Sequence, residues 1–497
     1  MKPLRPLLLV LIGGLVLTAC RKDEKFSDDP GITLDLSADT VLFDTVFTTV
    51  PFSVTKRFVV RNPSSNAVRV DIALEGGAPS PYRINVDGAS GTTFEDIEIY
   101  GGDSIFVFVE ASLDQNNSSN PFIIEDHILF NTNGNQQEVL LVAWGQDAHF
   151  FYPDRAIQGF PRFSIIAGLD DNGQSTCETV LWTNDKPYVI YGYAVVDSCS
   201  TLQIDAGVRV HFHGGGGLWV YRWGQIKALG TVDQPITFQG DRLEPFYAEL
   251  PGQWDRIWIN EGPAANENRF ENCVVKNSLI GIQCETFPLY PEEPTSATKL
   301  VLDKVKIRNC SAVGLLSRNY RIQATNLLVG DCAQYGVALT GGGEYLFDQF
   351  TLANYWDYEI RQTPAFYMTN AFRDITNTIQ VRQIVNSDFY NGIIHGANAN
   401  EFLIEFNDLD TPDLNFRYMM LRTDVSTTDP SFFPDQTTIY RNRSAGFVDV
   451  PGRDFHLTSS SFGVDQAVDL GTNGTFFDLD GVQRSNPRDL GCYEFRP

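Results

Sequence analysis

The chain is 497 residues long, 43% hydrophobic and 12% aromatic, which gives room for two or three domains with cores of their own. A formal charge of −25 sets nucleic acid aside as a partner, because an acidic surface repels a phosphate backbone. Gly (41), Phe (35) and Tyr (19) are plentiful and Met (4) is scarce, a balance that favours strands over helices.

At the N-terminus, Lys2 and Arg5 precede an apolar run from Leu7 to Leu17, and small residues lead to Cys20. The run is too short to span a membrane. Leu17-Thr18-Ala19-Cys20 resembles the bacterial lipobox, which implies cleavage before Cys20 and lipidation of that cysteine. Arg21-Lys22-Asp23-Glu24 resembles the Lys-plus-two-acids signal that sends Bacteroidetes lipoproteins to the outer face of the outer membrane. The expectation is a signal peptide at 1–19 and a lipidated tether at 20–30, leaving a protein anchored by lipid and facing the cell exterior. Residues 1–19 carry Lys2 and Arg5 and no acid, so their removal takes the charge to −27. Seven cysteines besides Cys20 would then sit in an oxidising compartment, at least one of them unpaired.

Residues 31–148 alternate apolar and polar in short runs, among them Val68-Arg-Val-Asp-Ile-Ala-Leu and Ile105-Phe-Val-Phe-Val-Glu-Ala, with Gly, Asn and Asp between them. That spacing predicts a β-sandwich. The order of its strands, ending in Ala143-Trp-Gly, resembles immunoglobulin-like modules of the ASPM/SPD-2/Hydin type, which implies a spacer or contact module. Residues 149–175, with Pro153 and Pro161, read as a linker.

From 176 to 445, strands recur with a polar turn after each. Phe270-Glu-Asn-Cys, Ile307-Arg-Asn-Cys and Val329-Gly-Asp-Cys each lead, a few residues later, to Gly and an aliphatic residue. Cys310 and Cys332 lie 22 residues apart, as do Cys177 and Cys199, and a period in the low twenties without helical runs is a solenoid signature. Strands of neighbouring coils lie ~4.8 Å apart, so either cysteine pair could be bridged or stacked as small apolar residues. Leu202-Gln-Ile-Asp-Ala-Gly-Val-Arg-Val, Gly224-Gln-Ile-Lys-Ala-Leu-Gly-Thr and Gly252-Gln-Trp-Asp-Arg-Ile-Trp-Ile resemble the opening coils of pectate-lyase-like proteins. The resemblance implies a right-handed parallel β-helix. Ile204, Val208, Val210, Phe212, Leu218, Val220, Ile226, Ile236, Phe238, Ile257 and Ile259 should point inward, with glycines at turns that need positive φ. Insertions fall at 241–252, 287–298 and 354–377. Residues 446–497, with Asp478-Leu-Asp-Gly and Asp489-Leu-Gly-Cys-Tyr-Glu-Phe, resemble the C-terminal cap of secreted bacterial β-helices, which implies a cover for the last coil. The fold class expected is therefore all-β: a sandwich, a parallel β-helix and a cap.

The chemistry is less legible. β-Helix lyases use acid clusters with Ca²⁺ and a basic residue, and hydrolases on that scaffold use paired aspartates; neither motif occurs in such a setting. Asp255, Arg256 and Glu261 are candidates for an unrecognised site or ordinary surface charges. His211 and His213 share the outer face of one strand and lack an evident third ligand. Asp478, Asp480 and Asp489 could hold a structural Ca²⁺ or simply form turns; no other cofactor is expected. The fuller pattern is aromatic. Trp219, Tyr221 and Trp223 alternate with inward Leu218 and Val220, and Trp258 and Trp254 follow about a coil later, a row suited to stacking on sugar rings unless something packs over it. The reading is a non-catalytic surface lipoprotein that binds a polysaccharide or a surface protein. The rivals are a polysaccharide lyase or glycoside hydrolase, and a structural spacer.

Overall fold

Short apolar runs broken by polar turns fold only if each strand hides its inward residues against a shared core. The computed structural model describes residues 25–48, 55–115, 121–170, 173–287, 290, 294–407 and 412–497. Among them the only helical elements are two three-residue 3-10 turns, Pro245–Tyr247 and Gln436–Thr438, and no helix is long and apolar enough to cross a membrane. Cys20, the signal segment and the tether up to residue 24 lie outside the described residues. The chain divides into two compact units between Asp147 and Ala148.

The first unit is built of two five-stranded sheets. One runs in the order Asp35–Leu36, Lys56–Arg61, Ser104–Ala111, Tyr82–Val86, Ala89–Gly91; the other in the order Thr40–Phe47, Asn135–Gln146, Phe122–Thr132, Val68–Leu74, Thr93–Ile99. Phe43, Val60, Val70, Val107, Phe130 and Leu141 from both sheets form one buried cluster. Tyr82, also buried there, satisfies its hydroxyl by donating to the Ile124 carbonyl at 2.8 Å.

The second unit carries a 23-stranded sheet in which most strands pair in parallel with one two or three strands further on. Val210, Phe238, Val275, Ile307, Val329, Leu352, Ile394 and Leu421 follow one another in register, and all are solvent-free. A second ladder runs through Leu218, Ile257, Ile282, Leu315, Val337, Phe366 and Phe402, and a third through Ala228, Phe270, Leu302, Ala324, Phe347, Phe389 and Phe416. The three ladders meet in one core. Every residue expected to point inward between Ile204 and Ile259 is buried there.

The repeated Gly-then-aliphatic step has a packing cause. Gly281, Gly314 and Gly336 stack at one corner, and a Cβ on Gly314 would lie 2.5 Å from Val329 Cγ1 and 2.6 Å from the Gly336 carbonyl oxygen. Glycine takes positive-φ turns where expected, at Gly207 and Gly252 for instance, but not alone. Asparagine takes many of them, including Asn277, Asn309, Asn326 and Asn391, because its side chain bonds the neighbouring turn as well as tolerating that backbone. Asn309 Nδ2 donates to Asn277 Oδ1 at 2.8 Å, for example.

Two segments depart from the sequence reading. Residues 149–175 are no linker: His149–Phe151 pairs in parallel with Tyr188–Ile190, and Phe163–Ala167 with Tyr193–Val196. Pro153 and Pro161 fall between these strands and interrupt neither. Residues 446–497 reach the last strands, where Phe462 packs on Tyr440 at 4.9 Å, but they extend well beyond that end. Phe433 closes that end against Phe402 and Phe416. The C-terminal segment also lies along the flank, where Leu328, Ala353, Ile393 and Met420 would otherwise face water; Phe455, Leu457, Leu479 and Leu490 bury them. His456 ties it down, bonding Asp454 at 2.6 Å and Asp480 at 2.8 Å while Asp480 pairs with Lys306 at 3.3 Å.

The cysteine alternatives split. Cys177 and Cys199 are bridged. Cys310 and Cys332, opposite one another in register, are free and buried, as are Cys273, Cys284 and Cys492. Burial pushes the Cys273 and Cys284 thiols well up, which keeps them inert.

Candidate ligand-binding site

Strand Gly217–Val220 turns Leu218 and Val220 inward and Trp219 outward, as its alternation requires. In the ladder Trp219 lies opposite Trp258, and their rings stack 4.5 Å apart at 12°. Phe160 also stacks on Trp219, at 5.5 Å and 20°, and Phe287 meets the two indoles edge-on at 6.2 and 5.1 Å. Trp219 is left 6% exposed. Its Nε1 donates to Asn260 Oδ1 at 2.8 Å, and Trp258 Nε1 donates to Glu285 Oε1 at 2.7 Å. Sugars stack on ring faces, and the Trp219 ring is already stacked by Phe160 and Trp258. At Trp219 the expected open row is covered, while Trp258 keeps part of its surface exposed. Tyr221 packs edge-on against Trp219, and Trp223, the one clearly exposed indole of the set, sits in a positive-φ turn. Trp254 turns into the core, stacked on Phe212 at 4.2 Å. Periodicity fixes a side chain's side of a strand. It says nothing of what covers that side.

Asp255, Arg256 and Glu261 are brought near the stack and spent there. Asp255 accepts from the Tyr193 hydroxyl and from Arg256 Nε at 2.9 Å, while Arg256 reaches Gln283. Glu261 accepts from Arg222 and from the Phe287 main-chain N–H at 2.8 Å. His211 is buried, and desolvation pushes its imidazole down to about 4. His213 is exposed, bonded to Asp241 at 2.8 Å and stacked on Tyr191. Asp478 accepts from the main chain of Asp480, Val482 and Glu494, Asp489 from that of Asp465 and Phe495, and Asp480 pairs with His456. Main-chain N–H groups and the His456 ring thus occupy these carboxylates. No group of three or more His, Cys, Asp or Glu among the described residues could hold a metal ion.

A cleft that sequence reasoning missed lies on another face of the second unit. There Lys276 and Arg308 stack in register. Three separate segments converge above them: the 241–252 insertion, the start of the 354–377 insertion, and the turn joining Phe447–Asp449 to Asp454–Leu457. They leave a cavity of about 440 Å³, within the size range of ligand sites, lined by Glu249, Arg308, Asn309, Asp331, Tyr358 and Arg453 among others. Arg308 grips both Glu249 oxygens, one of them at 2.9 Å, and Lys276 stands 3.5 Å from the same carboxylate. Arg453 pairs with Asp331 at 3.1 Å and Asp357 at 2.8 Å. The Tyr358 hydroxyl donates to the Glu249 carbonyl, fastening one insertion to the other. Burial pushes the Asp331 carboxyl up to about 6, against the pull of Arg453 and Arg308. Both insertions were visible in sequence; their convergence depends on register, which was not.

A second cavity, of about 560 Å³, lies over one sheet of the first unit. Its Arg83 is turned onto the Ser80 and Tyr82 carbonyls and its Asn85 onto Ser90, so few polar groups converge on it.

No protein-family model matches the chain, and no curated protein matches it. Among solved structures it is similar to the catalytic unit of a GH87 α-1,3-glucanase from Streptomyces thermodiastaticus, at 11% identity over 78% of this chain and 87% of that one, with a TM-score of 0.27. It also matches a protein of unknown function from Porphyromonas gingivalis W83, at 11% identity and a TM-score of 0.17 over 25% of this chain and half of that one. A PapD-like domain of human CEP192 matches at 9% identity over 26% of this chain and 97% of that domain, with a TM-score of 0.17. The chain spans 57% of a Salmonella enterica SafA–SafB chain and 30% of a Clostridium perfringens family 123 glycoside hydrolase.

Proposed function

We propose that this is a bacterial surface lipoprotein, anchored in the outer membrane through Cys20 and facing outward, whose second unit is a right-handed parallel β-helix that binds polysaccharide without cleaving it. The lipobox-like Leu17–Cys20 stretch and the acidic tether support the location, and the three in-register ladders support the β-helix. The observation that carries the binding reading is the cleft, where three segments from distant parts of the chain converge on a polar pocket beside the half-exposed ring of Tyr358. Its carboxylates are held by cations, Glu249 by Arg308 and Lys276 and Asp331 by Arg453. Groups held in this way orient hydroxyls well and relay protons poorly.

The raised carboxyl of Asp331 supports one other reading, a glycoside hydrolase with Asp331 as its acid. A panel of polysaccharides, with and without Ca²⁺, separates the two when binding and new reducing or unsaturated ends are read together. The expected result is binding with no new ends. Cleavage that is lost in Asp331→Asn would replace the binding reading with the enzymatic one.

A further inference from the structure

We propose that the cleft, on the polysaccharide-binding reading given above, takes an uncharged sugar through its hydroxyl groups and discriminates against uronates. The argument is a count of what remains free. Three cations (Lys276, Arg308, Arg453) face three carboxylates (Glu249, Asp331, Asp357), so neither sign is left over to hold a charged ligand.

Each cation is already paired with a carboxylate. Both terminal nitrogens of Arg308 go to Glu249; Arg453 donates to the Tyr355 carbonyl at 3.3 Å and to Asp357, and lies 3.1 Å from Asp331 as an ion pair. Lys276 donates to the Ala248 carbonyl at 3.1 Å. Asn309 Nδ2 serves the Glu249 carbonyl and Asn277, and the Tyr358 hydroxyl serves Glu249. Unused acceptor sites remain on the carboxylates, each of which has about four. They also stand outermost: the side chains of Glu249 and Asp357 are 52% and 67% exposed, those of Arg308 and Arg453 only 29% and 22%. An incoming carboxylate would meet exposed carboxylates and no uncommitted cation. A sugar hydroxyl donates to those oxygens at no charge penalty, and adjacent hydroxyls can share one carboxylate. The Tyr358 ring, 51% exposed, offers a face for the apolar side of a sugar.

The test is calorimetric titration of the detergent-solubilised full chain with three probes: neutral glucan and mannan oligosaccharides, oligogalacturonate, and glucosamine oligomers. The expected result is binding of a neutral oligosaccharide at least tenfold tighter than of either charged probe. Glu249→Gln, on a half-exposed loop where folding is little affected, should weaken neutral binding at least tenfold. It should also raise oligogalacturonate binding, since it frees Arg308. Tighter binding of either charged probe by the native chain overturns this inference and leaves polysaccharide binding standing. Neutral binding indifferent to Glu249→Gln overturns the assignment to this cleft. Silence toward all three probes overturns the polysaccharide reading itself.

Discussion

Glu401→Ala lowers the stability of the second unit by about 3–5 kcal/mol, the cost of stranding a buried guanidinium. The Arg361 and Glu401 side chains are 1% and 0% exposed, and Glu401 takes both terminal nitrogens of Arg361, one of them at 2.8 Å. It also accepts from the main-chain N–H of Ala365 and Asn398, each at 2.8 Å, so one carboxylate fixes the 354–377 insertion at several points. Glu401→Gln keeps an oxygen for those amides and should cost less. Arg361→Met with Glu401→Leu removes both charges and should recover most of the loss. Of the seven tryptophans only Trp144 precedes Ala148, so tryptophan fluorescence in urea follows this unit. A midpoint within about 0.5 kcal/mol of the native chain for Glu401→Ala would falsify the structural role of the pair. The same variant should weaken ligand binding although residue 401 does not line the cleft, because the insertion it fixes carries Tyr358.

Gly314→Val costs about 3 kcal/mol or more, at the upper end for overpacking. The atoms a new Cβ would strike at Gly314 are a buried valine methyl and a main-chain oxygen, so relief requires neighbouring turns to move apart. Moving them breaks the parallel ladder on which the core depends. Gly214→Ala is the control. Its nearest neighbour would be the Gln253 carbonyl oxygen at 4.0 Å, and it should change stability by less than about 0.5 kcal/mol. Equal midpoints for the two variants would mean that the glycine corner is loosely packed.

Alternation and recurrence carried the strands. From Ile204 to Ile259 each expected inward residue is buried, since a period of two leaves little choice of face. The expected site was harder to read for the same physical reason. Facing outward is local, whereas being uncovered depends on distant chain. Phe160, in a segment whose prolines suggested a linker, caps Trp219, and no spacing around Trp219 announces it. Trp254 turns inward just after the 241–252 insertion, where the strand phase restarts. The cleft depends on two insertions and a turn of the C-terminal segment meeting over Arg308, and only the register of Lys276 with Arg308 and the flank position of 446–497 bring them together. The C-terminal segment's hydrophobic residues were visible. Their partners, Leu328, Ala353, Ile393 and Met420, had looked like ordinary strand residues.

The measurement that bears most directly on the cleft as the binding site is hydrogen exchange of the full chain with and without saturating oligosaccharide, using whichever probe binds best. The account predicts slowed exchange in residues 245–250, 355–361 and 449–454, and no change around Tyr221, Trp223 and Trp258. Protection confined to the Tyr221–Trp258 region, with those three segments unaffected, would contradict it and return the site to the aromatic face.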